Sequence, residues 1–435
     1  HTGPVTLLRV RGRGRRGALA AWEPLSDRSA EDPRVERSLY KNVLGNRLVF
    51  EEVHHGLGLA FRYRWTGSDE LGLVRTATLE NRGAEAVEIE LLDGLRNLLP
   101  WGAPLALYQQ SSCLVDAYKR CDLDPDTGLG IFSLTTGITD QPEPLERLRA
   151  NVAWSHGLDA AAVSLSLEAV AAFRRGGPLP RADVLTGARG NHLTAATVRL
   201  APGASARWHV VADVGLDHVR VAALRARLRA GGDLGARIEA SLDEAAGNLR
   251  RNVASADGLQ LTGDTEASVH HFANVLYNNM RGGVFARDHD VPAADFADLV
   301  RTRDRASAAR HRAALAALPA RLPAAELLRA VAGRNDPDLL RLAYEYLPLT
   351  FGRRHGDPSR PWNRFSIQLK DADGGPALRY EGNWRDIFQN WEALGASFPG
   401  FLPGMVARFV DASTADGFNP YRIERDGIDW EVLDP

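Results

Sequence analysis

The sequence predicts a multidomain β + α protein with an antiparallel β-sandwich, a helical linker and an all-α C-terminal domain. Short alternating segments separated by Gly- and Pro-containing turns fill residues 40–215. Near residue 217 the apolar spacing becomes helical and the chain becomes rich in Ala, Leu, Arg and Glu. Strand and helix patterns that occupy separate stretches of chain favour separate β and α layers over βαβ units. We therefore divide the chain at 1–216, 217–263 and 264–435.

The β region is predicted from paired alternating segments. Residues 73–79 and 86–92 flank the turn-forming cluster Glu-Asn-Arg-Gly, and this pattern predicts a hairpin. Residues 195–200 and 206–212 flank Ala-Pro-Gly-Ala-Ser and predict a second hairpin in the same way. Further strands are predicted at 46–50 and 57–63, so the region resembles a large antiparallel sandwich.

The helical region is predicted from period and from capping residues. Helical spacing covers 219–228 and 238–253. Asp264 or Thr265 can cap a helix that Gly282-Gly283 would end. Asp336 before Pro337 predicts a boundary between two helices. The remaining predicted helices cover residues 303–322, 322–333, 337–347, 382–394 and 402–410.

Composition excludes several classes of function. The 435 residues are 44% hydrophobic and 25% charged with a formal net charge of −2, so no overall field favours nucleic acid or an anionic membrane. Two cysteines, Cys113 and Cys121, predict free thiols. We expect no membrane span and no cofactor. We also expect no metal site, because the side chains of the adjacent His270 and His271 would point in different directions on a helix. Without a visible signal peptide we expect a cytoplasmic protein. Because the sequence lacks an initiator Met, a start inside a longer protein, and with it secretion, is the open alternative.

The segment Trp384-Arg385-Asp386 is the first candidate site. Indole stacks on the C–H faces of a sugar, while carboxylate and guanidinium groups bind vicinal hydroxyls. Trp384, Phe388 and Trp391 follow i, i+4, i+7, so a buried core stripe is an equally open reading of the aromatic residues. We predict that Trp384, Arg385 and Asp386 bind substrate.

A second candidate site is the loop 416–431, which is rich in turn residues, acids and aromatics. Glycosidic cleavage uses two carboxyl groups on opposite sides of the scissile bond, and burial against Trp can keep one of them protonated. Asp429 and Glu431 flank Trp430, so we predict them as catalytic carboxylates, with ion pairs to the loop arginines as the alternative. Substrate-binding residues predicted nearby are Asp416, Asn419, Arg422 and Trp430, together with Trp362 and Arg364 from a third polar loop.

The order of the predicted domains resembles the six-hairpin glycosidase group, in which a β-supersandwich precedes an (α/α)6 barrel. Asn383-Trp-Arg-Asp386 is similar to the Trp-x-Arg-Asp motif of glucoamylase-like barrels, although Trp directly precedes Arg here. The resemblance implies that Arg385 and Asp386 hold the non-reducing sugar at the −1 subsite. A complete barrel needs twelve helices, and only about 170 residues follow residue 264. We therefore expect a partial barrel that the remainder of a longer chain or a second subunit completes.

These features predict a glycoside hydrolase-like protein that acts on an oligo- or disaccharide, with an inverting mechanism implied by the resemblance. If the general acid lies outside this sequence, Asp429 and Glu431 become binding residues. One alternative is a disaccharide phosphorylase of the same fold, in which Arg353, Arg354, His355 and Arg360 would bind phosphate. A second alternative is a non-catalytic sugar-binding module.

Overall fold

A computed structural model describes residues 2–11, 19–103, 105–138, 148–255, 258–259, 262–285, 287–350 and 377–430. The chain divides into two compact units, residues 1–247 and 248–435. Large antiparallel sheets dominate the first unit and helices the second, so the chain is a multidomain β + α protein. The predicted divisions at residues 216 and 263 stay predictions.

The first unit is built mainly from strands. Its elements are β1 (Gly3–Val10), β2 (Ala20–Trp22), α1 (Asp27–Ala30), β3 (Val35–Lys41), β4 (Leu48–His54), β5 (Leu59–Ser68), β6 (Gly72–Asn81), β7 (Val87–Leu98), α2 (Leu105–Gln110), α3 (Ser112–Ala117), β8 (Lys119–Asp124), β9 (Leu129–Leu134), β10 (Arg149–His156), β11 (Ala160–Ser164), α4 (Glu168–Arg175), β12 (Val184–Thr186), β13 (Gly190–Leu200), β14 (Ser205–Asp217), α5 (His218–Ala230) and α6 (Leu234–Ser255), the last of which extends into the second unit. The strands form a nine-stranded sheet, ordered β12-β8-β9-β10-β14-β6-β5-β4-β3, and a five-stranded sheet, ordered β11-β13-β7-β1-β2.

Both predicted hairpins are wrong, because each predicted pair of strands is divided between the two sheets. β6 and β14 pair with each other in the nine-stranded sheet, while β7 and β13 pair in the five-stranded sheet. The two connections meet where Asn81 donates its backbone N–H to Ala204 and accepts one from Gly203. Alternation of apolar and polar residues shows only that each strand has one buried face. Two strands in facing sheets have such a face just as two strands of a hairpin do, so the pattern does not distinguish the two arrangements.

The two sheets pack face to face around a shared apolar core. Leu8 and Ile89 of the smaller sheet and Phe61, Leu79 and Trp208 of the larger one belong to the same buried cluster. A buried ion pair also joins the sheets, with Arg75 Nη1 on β6 lying 2.7 Å from Asp93 Oδ2 on β7. Trp208 Nε1 donates to the same carboxylate over 2.7 Å, so the buried charge is both paired and hydrogen-bonded.

Two helices follow the sandwich. α5 begins after Asp217, whose side chain accepts a hydrogen bond from the backbone N–H of Arg220. α6 packs Ile238 and Leu242 onto Val74 and Trp154 of the nine-stranded sheet. The predicted helices at 219–228 and 238–253 lie within α5 and α6.

The second unit is mainly helical. Its elements are α7 (Thr265–Gly282), β15 (Val284–Phe285), β16 (Asp290–Pro292), α8 (Ala293–Arg303), α9 (Arg305–Arg310), α10 (Arg312–Ala316), β17 (Arg321–Pro323), α11 (Ala324–Ala332), α12 (Pro337–Glu345), β18 (Leu349–Thr350), β19 (Glu381–Asn383), α13 (Trp384–Ser397), a 3-10 turn (Pro399–Phe401), α14 (Leu402–Ala412), β20 (Arg422–Glu424) and β21 (Ile428–Asp429).

The predicted capping residues Asp264 and Asp336 do begin helices. The prediction that residues 264–435 are all-α is wrong, because short strands lie between the helices. Asp264 accepts two backbone N–H groups at the start of α7, and Asp336 does the same for α12. Three small sheets, β15-β18, β16-β17 and β19-β20-β21, accompany the helices. Strands of two or three residues are too short to show a period of two, so the sequence does not reveal them. Among the described residues, no helix combines the length and apolarity that crossing a membrane requires.

Candidate functional site

The sheet β19-β20-β21 brings the two C-terminal candidate segments together. β19 and β20 are antiparallel with Asn383 opposite Arg422, and β20 and β21 place Arg422 opposite Asp429. The backbone N–H of Trp384 donates to the carbonyl of Tyr421 over 2.9 Å, so the pairing continues into the first residue of α13. The Trp384-Arg385-Asp386 segment therefore starts its helix opposite Tyr421, next to Arg422 on β20, and Asp429 and Trp430 lie one strand further away.

A glycine allows α13 to begin so close to this sheet. A Cβ atom on Gly382 would lie 2.6 Å from Cδ1 and 3.1 Å from Cβ of the buried Ile387. That space is filled by the apolar side of the first helical turn, so any larger residue at 382 must displace it.

Arg422 is held between two carboxylates on one face of the sheet. Its guanidinium contacts Glu381 on the neighbouring strand and lies 3.0 Å from Oε1 of Glu424. Because side chains alternate along a strand, positions 421 and 430 fall on the opposite face from Arg422. The fold therefore gathers the predicted residues at one edge but distributes them over both of its faces.

The aromatic stripe of α13 separates into a structural end and an accessible end. Trp391 is buried, and its Nε1 donates to the carbonyl of Gly282 over 3.1 Å. Phe388 is 44% exposed and stacks on Phe409 with ring centroids 4.0 Å apart. Trp384 is partly buried and meets Phe388 edge-on at 5.0 Å. Core packing thus explains Trp391, whereas Trp384 and Phe388 lie at the boundary with solvent.

The other predicted binding residues are less closely gathered. Asp416 and Asn419 are exposed in the loop after α14, and Asn419 Oδ1 accepts a hydrogen bond from Ser413 Oγ over 3.2 Å. For Arg385 and Asp429 the structure describes the backbone position alone. Outside the described residues lie Trp362, Arg364, Glu431 and the phosphate-site candidates Arg353, Arg354, His355 and Arg360.

A buried arginine that the sequence analysis did not select fixes the β20–β21 turn. Arg408 on α14 is 1% exposed, and its Nη2 donates to the carbonyls of Glu424 and Gly427 over 2.5 and 2.7 Å. Its Nη1 lies 3.0 Å from Oε2 of Glu345 at the end of α12. The sequence does contain a signal for this role, because Arg408 is a charged residue on the otherwise apolar face of α14 that carries Met405 and Ala412.

Glu345 is the centre of a buried ionic cluster. Arg303 and Arg341 also contact its carboxylate, at 3.2 and 2.6 Å. Burial alone would raise the pKa of Glu345, but the hydrogen bond from Asp411 and the neighbouring guanidinium charges bring that pKa below its ordinary value. Burial and the bond to Glu345 raise the pKa of Asp411, so Asp411 is the member of the pair that favours the protonated form.

A second buried contact holds the same turn from the other side. Arg425 Nη2 lies 2.7 Å from Oδ1 of Asp295 in the first turn of α8. Tyr346 donates its hydroxyl to the other oxygen of Asp295 over 2.8 Å, and burial followed by that negative charge raises the pKa of Tyr346. The β20–β21 turn is therefore fixed to α8, α12 and α14 by charge-assisted bonds.

A comparison with protein-family models matches the segment that contains Asp295 and Glu345. Residues 285–348 match the family model "glycoside hydrolase family 149 insertion domain 1". This segment contains Asp295 and Glu345, which bind Arg425 and Arg408 at the turn described above, and also Tyr346 and Arg303, which contact those two carboxylates. No curated protein matches the chain.

Three solved structures show low similarity. A bacterial glucoamylase complexed with acarbose has a TM-score of 0.36 and 10% identity, over 71% of this chain and 43% of its own. A polysaccharide lyase has a TM-score of 0.26 and 16% identity, over 52% and 28%. A protein described as a kojibiose phosphorylase from the human microbiome has a TM-score of 0.26 and 8% identity, over 91% and 39%.

This chain spans less than half the length of each of these three proteins. The family-model match supports the resemblance recognised in the sequence. Residues 285–348 are similar to insertion domain 1 of glycoside hydrolase family 149.

Proposed function

We propose that this chain is a carbohydrate-active protein whose second unit binds a saccharide at the edge of the β19-β20-β21 sheet. The observation that carries the proposal is the register that joins Trp384, at the start of α13, to Tyr421 on β20, in the same three-stranded sheet as Arg422 and Asp429. A partly exposed indole at the edge of a sheet that also carries carboxylates and a guanidinium group offers partners for both kinds of surface that a sugar presents, the apolar ring faces and the hydroxyls.

Each residue has a proposed role. Trp384 stacks on a sugar ring, and Arg385 and Asp386 bind its hydroxyls. Asp429 and Glu431 supply the carboxyl groups for acid-assisted cleavage through an oxocarbenium-like transition state. The remaining proposed contacts are Trp362, Arg364, Asp416, Asn419, Arg422 and Trp430.

The family-model match supports this assignment, because the matched segment anchors the candidate site. Asp295 and Glu345, both within 285–348, hold Arg425 and Arg408, and these two arginines position the β20–β21 turn. We also propose that the two-sheet unit corresponds to a supersandwich and the helical unit to part of an (α/α)6 barrel, completed by further chain or a second subunit.

The first test is binding by the variant Asp386→Ala. Linear glucose oligomers are suitable probes, because the equatorial hydroxyls of glucose leave its C–H faces open for stacking. In calorimetry with maltotriose, cellotriose and laminaritriose, we expect at least one ligand to bind. Its affinity should fall about tenfold or more in Asp386→Ala, because hydrogen bonds to a charged group contribute roughly 1.5–3 kcal/mol.

Asp338→Ala is the matched control, since Asp338 also lies in the first turn of a helix and its side chain is 59% exposed. Unchanged affinity in Asp386→Ala, or no binding of any of the three oligomers, would contradict the proposed site.

The type of reaction is tested by product analysis. Release of a free reducing sugar without phosphate indicates hydrolysis, whereas formation of a sugar 1-phosphate only with phosphate indicates phosphorolysis. A double variant, Asp429→Asn with Glu431→Gln, should abolish turnover while leaving binding intact. Sugar binding with no turnover in the unsubstituted protein would instead favour the non-catalytic module.

A further inference from the structure

Two carboxyl groups meet between α12 and α14. Asp411 lies in the last turn of α14 and is exposed, whereas Glu345 ends α12 and is buried. The two side chains share a hydrogen bond. Because an ionised carboxylate can only accept hydrogen bonds, two carboxyl groups can bond to each other only while one of them carries a proton. The contact between the two helices therefore contains a proton that is open to solvent on the Asp411 side.

Three guanidinium groups keep the negative charge of this pair on Glu345. Arg341 Nη1 lies 2.6 Å from its Oε1, and Arg408 Nη1 and Arg303 Nη2 lie 3.0 and 3.2 Å from its Oε2. Although burial alone would raise the pKa of Glu345, the bond from Asp411 and these charges lower it. Burial, the bond to Glu345 and its negative charge raise the pKa of Asp411, so the proton resides there. The charged and titratable groups around the pair are Arg303 on α8, Arg341 on α12, Arg408 on α14 and, next to Arg303, Tyr380.

Arg408 connects this pair to the β20–β21 turn. It precedes Asp411 by three residues, so the two side chains are neighbours on α14, and Glu345 contacts both of them. The second terminal nitrogen of Arg408 donates to the carbonyls of Glu424 and Gly427. If Glu345 moves away from α14, the guanidinium loses either its carboxylate or its carbonyls. The position of the turn therefore depends on the contact between α12 and α14.

We infer that Asp411 and Glu345 form a proton-dependent latch, which fixes the β20–β21 turn while the shared proton is present and loosens the turn once that proton is lost. Loss of the proton replaces a hydrogen bond by two adjacent negative charges. The exposed Asp411 then competes with Glu345 for Arg341 and Arg408. This latch is a property of the fold of the second unit, so it does not depend on whether the site binds a saccharide.

The two pKa shifts give the direction of the pH effect. The pKa of Asp411 is raised above the ordinary 3.8, so its stabilisation is present at low pH and is lost as the pH rises through the raised pKa. The pKa of Glu345 is below the ordinary 4.5, so its stabilisation is present above pH 4.5 and is lost only as the pH falls through the lowered pKa. The latch is therefore closed in mild acid and opens as the pH rises.

The test is hydrogen exchange of the backbone amides in residues 421–429, measured without a sugar and corrected for the intrinsic effect of pH. In the unsubstituted protein, protection of these amides should fall about threefold or more between about pH 5 and pH 8. In Asp411→Asn protection should change by less than about 1.5-fold, because the amide still donates to Glu345 and has no proton to lose in this range. Asp338→Asn, which removes an exposed carboxyl group in the first turn of α12, should behave like the unsubstituted protein.

Two results would overturn the latch. One is protection in the unsubstituted protein that does not change with pH, or that changes equally in Asp411→Asn. The other is loss of the pH dependence in Asp338→Asn as well, which would indicate a general effect of surface charge. Failure of sugar binding in the separate calorimetric experiments would overturn the proposed function and leave the latch intact.

Discussion

At the residue scale, Arg408 determines the position of the candidate site without reaching solvent. Its guanidinium connects the carboxylate of Glu345 to the carbonyls of Glu424 and Gly427. In Arg408→Met we expect the free energy of unfolding to fall by about 3–5 kcal/mol in urea titrations, because a buried carboxylate loses a partner and two carbonyls lose their donor. Trisaccharide affinity should fall as well, because the turn is no longer fixed.

Arg301→Met is the control, because Arg301 is an exposed arginine on α8 in a surface ion pair. Adding Glu345→Gln to Arg408→Met should cost less than the sum of the single changes, since the two residues interact directly. If the double variant loses as much unfolding free energy as the two single variants together, the contact between Arg408 and Glu345 contributes no interaction energy.

At the scale of elements, the junction between β19 and α13 depends on the absence of a side chain at residue 382. In Gly382→Ala, the new Cβ would lie 2.6 Å from Ile387 Cδ1 and force the first turn of α13 away from the sheet. We expect a loss of stability of about 1–3 kcal/mol and weaker saccharide binding, measured by urea titration and calorimetry.

Gly427→Ala is a suitable control, because a Cβ at that turn residue meets no atom within 4 Å. Combining Gly382→Ala with Ile387→Val removes the nearest methyl group and should restore part of the stability. Equal losses in Gly382→Ala and Gly427→Ala would exclude the steric explanation.

At the scale of the whole molecule, stability should decrease in mild acid through His209 of β14. Burial is the main cause that lowers the pKa of His209 to about 4. The negative charge of Glu239 acts in the opposite direction, and the nearby charges of His156, Arg64 and Arg207 lower the pKa further. The folded state therefore disfavours a proton that the unfolded chain takes up below pH 6.5. The stabilisation is present above pH 6.5 and is lost as the pH falls toward 4.

We expect this residue to contribute a loss of about 2 kcal/mol between pH 7 and pH 5. The measurement is the difference in unfolding free energy between the unsubstituted protein and His209→Gln at both pH values. His55→Gln, at an exposed position, provides the comparison. An identical pH dependence in the unsubstituted protein and His209→Gln would contradict the prediction.

Local signals in the sequence predict some elements well. The caps at Asp264 and Asp336 depend on neighbouring residues alone, so the sequence suffices to place the starts of α7 and α12. Because aromatic and charged residues concentrate in both segments, composition predicts that 384–386 and 416–431 belong to one site, and the structure pairs the backbones of Asn383 and Arg422. Their register was not predictable, since strands of three residues carry no periodic signal.

Long-range pairing is what the sequence did not reveal. β6 and β7 are consecutive and alternate cleanly, yet they belong to facing sheets, and no local property distinguishes this arrangement from a hairpin. Glu345 and Arg408 are 63 positions apart, so only the packed structure shows that they meet. The helical pattern of 303–322 also failed to show the interruption between α9 and α10 at His311.

The attachment of the β20–β21 turn to α8 and α12 has a thermodynamic consequence. A ligand held at the sheet edge would stabilise the native form of helices that it never touches, since the turn cannot keep its shape once they melt. Occupancy should therefore raise the midpoint of thermal unfolding for the second unit in proportion to the logarithm of ligand concentration. Conversely, heat or denaturant should abolish recognition in the same transition that melts those helices.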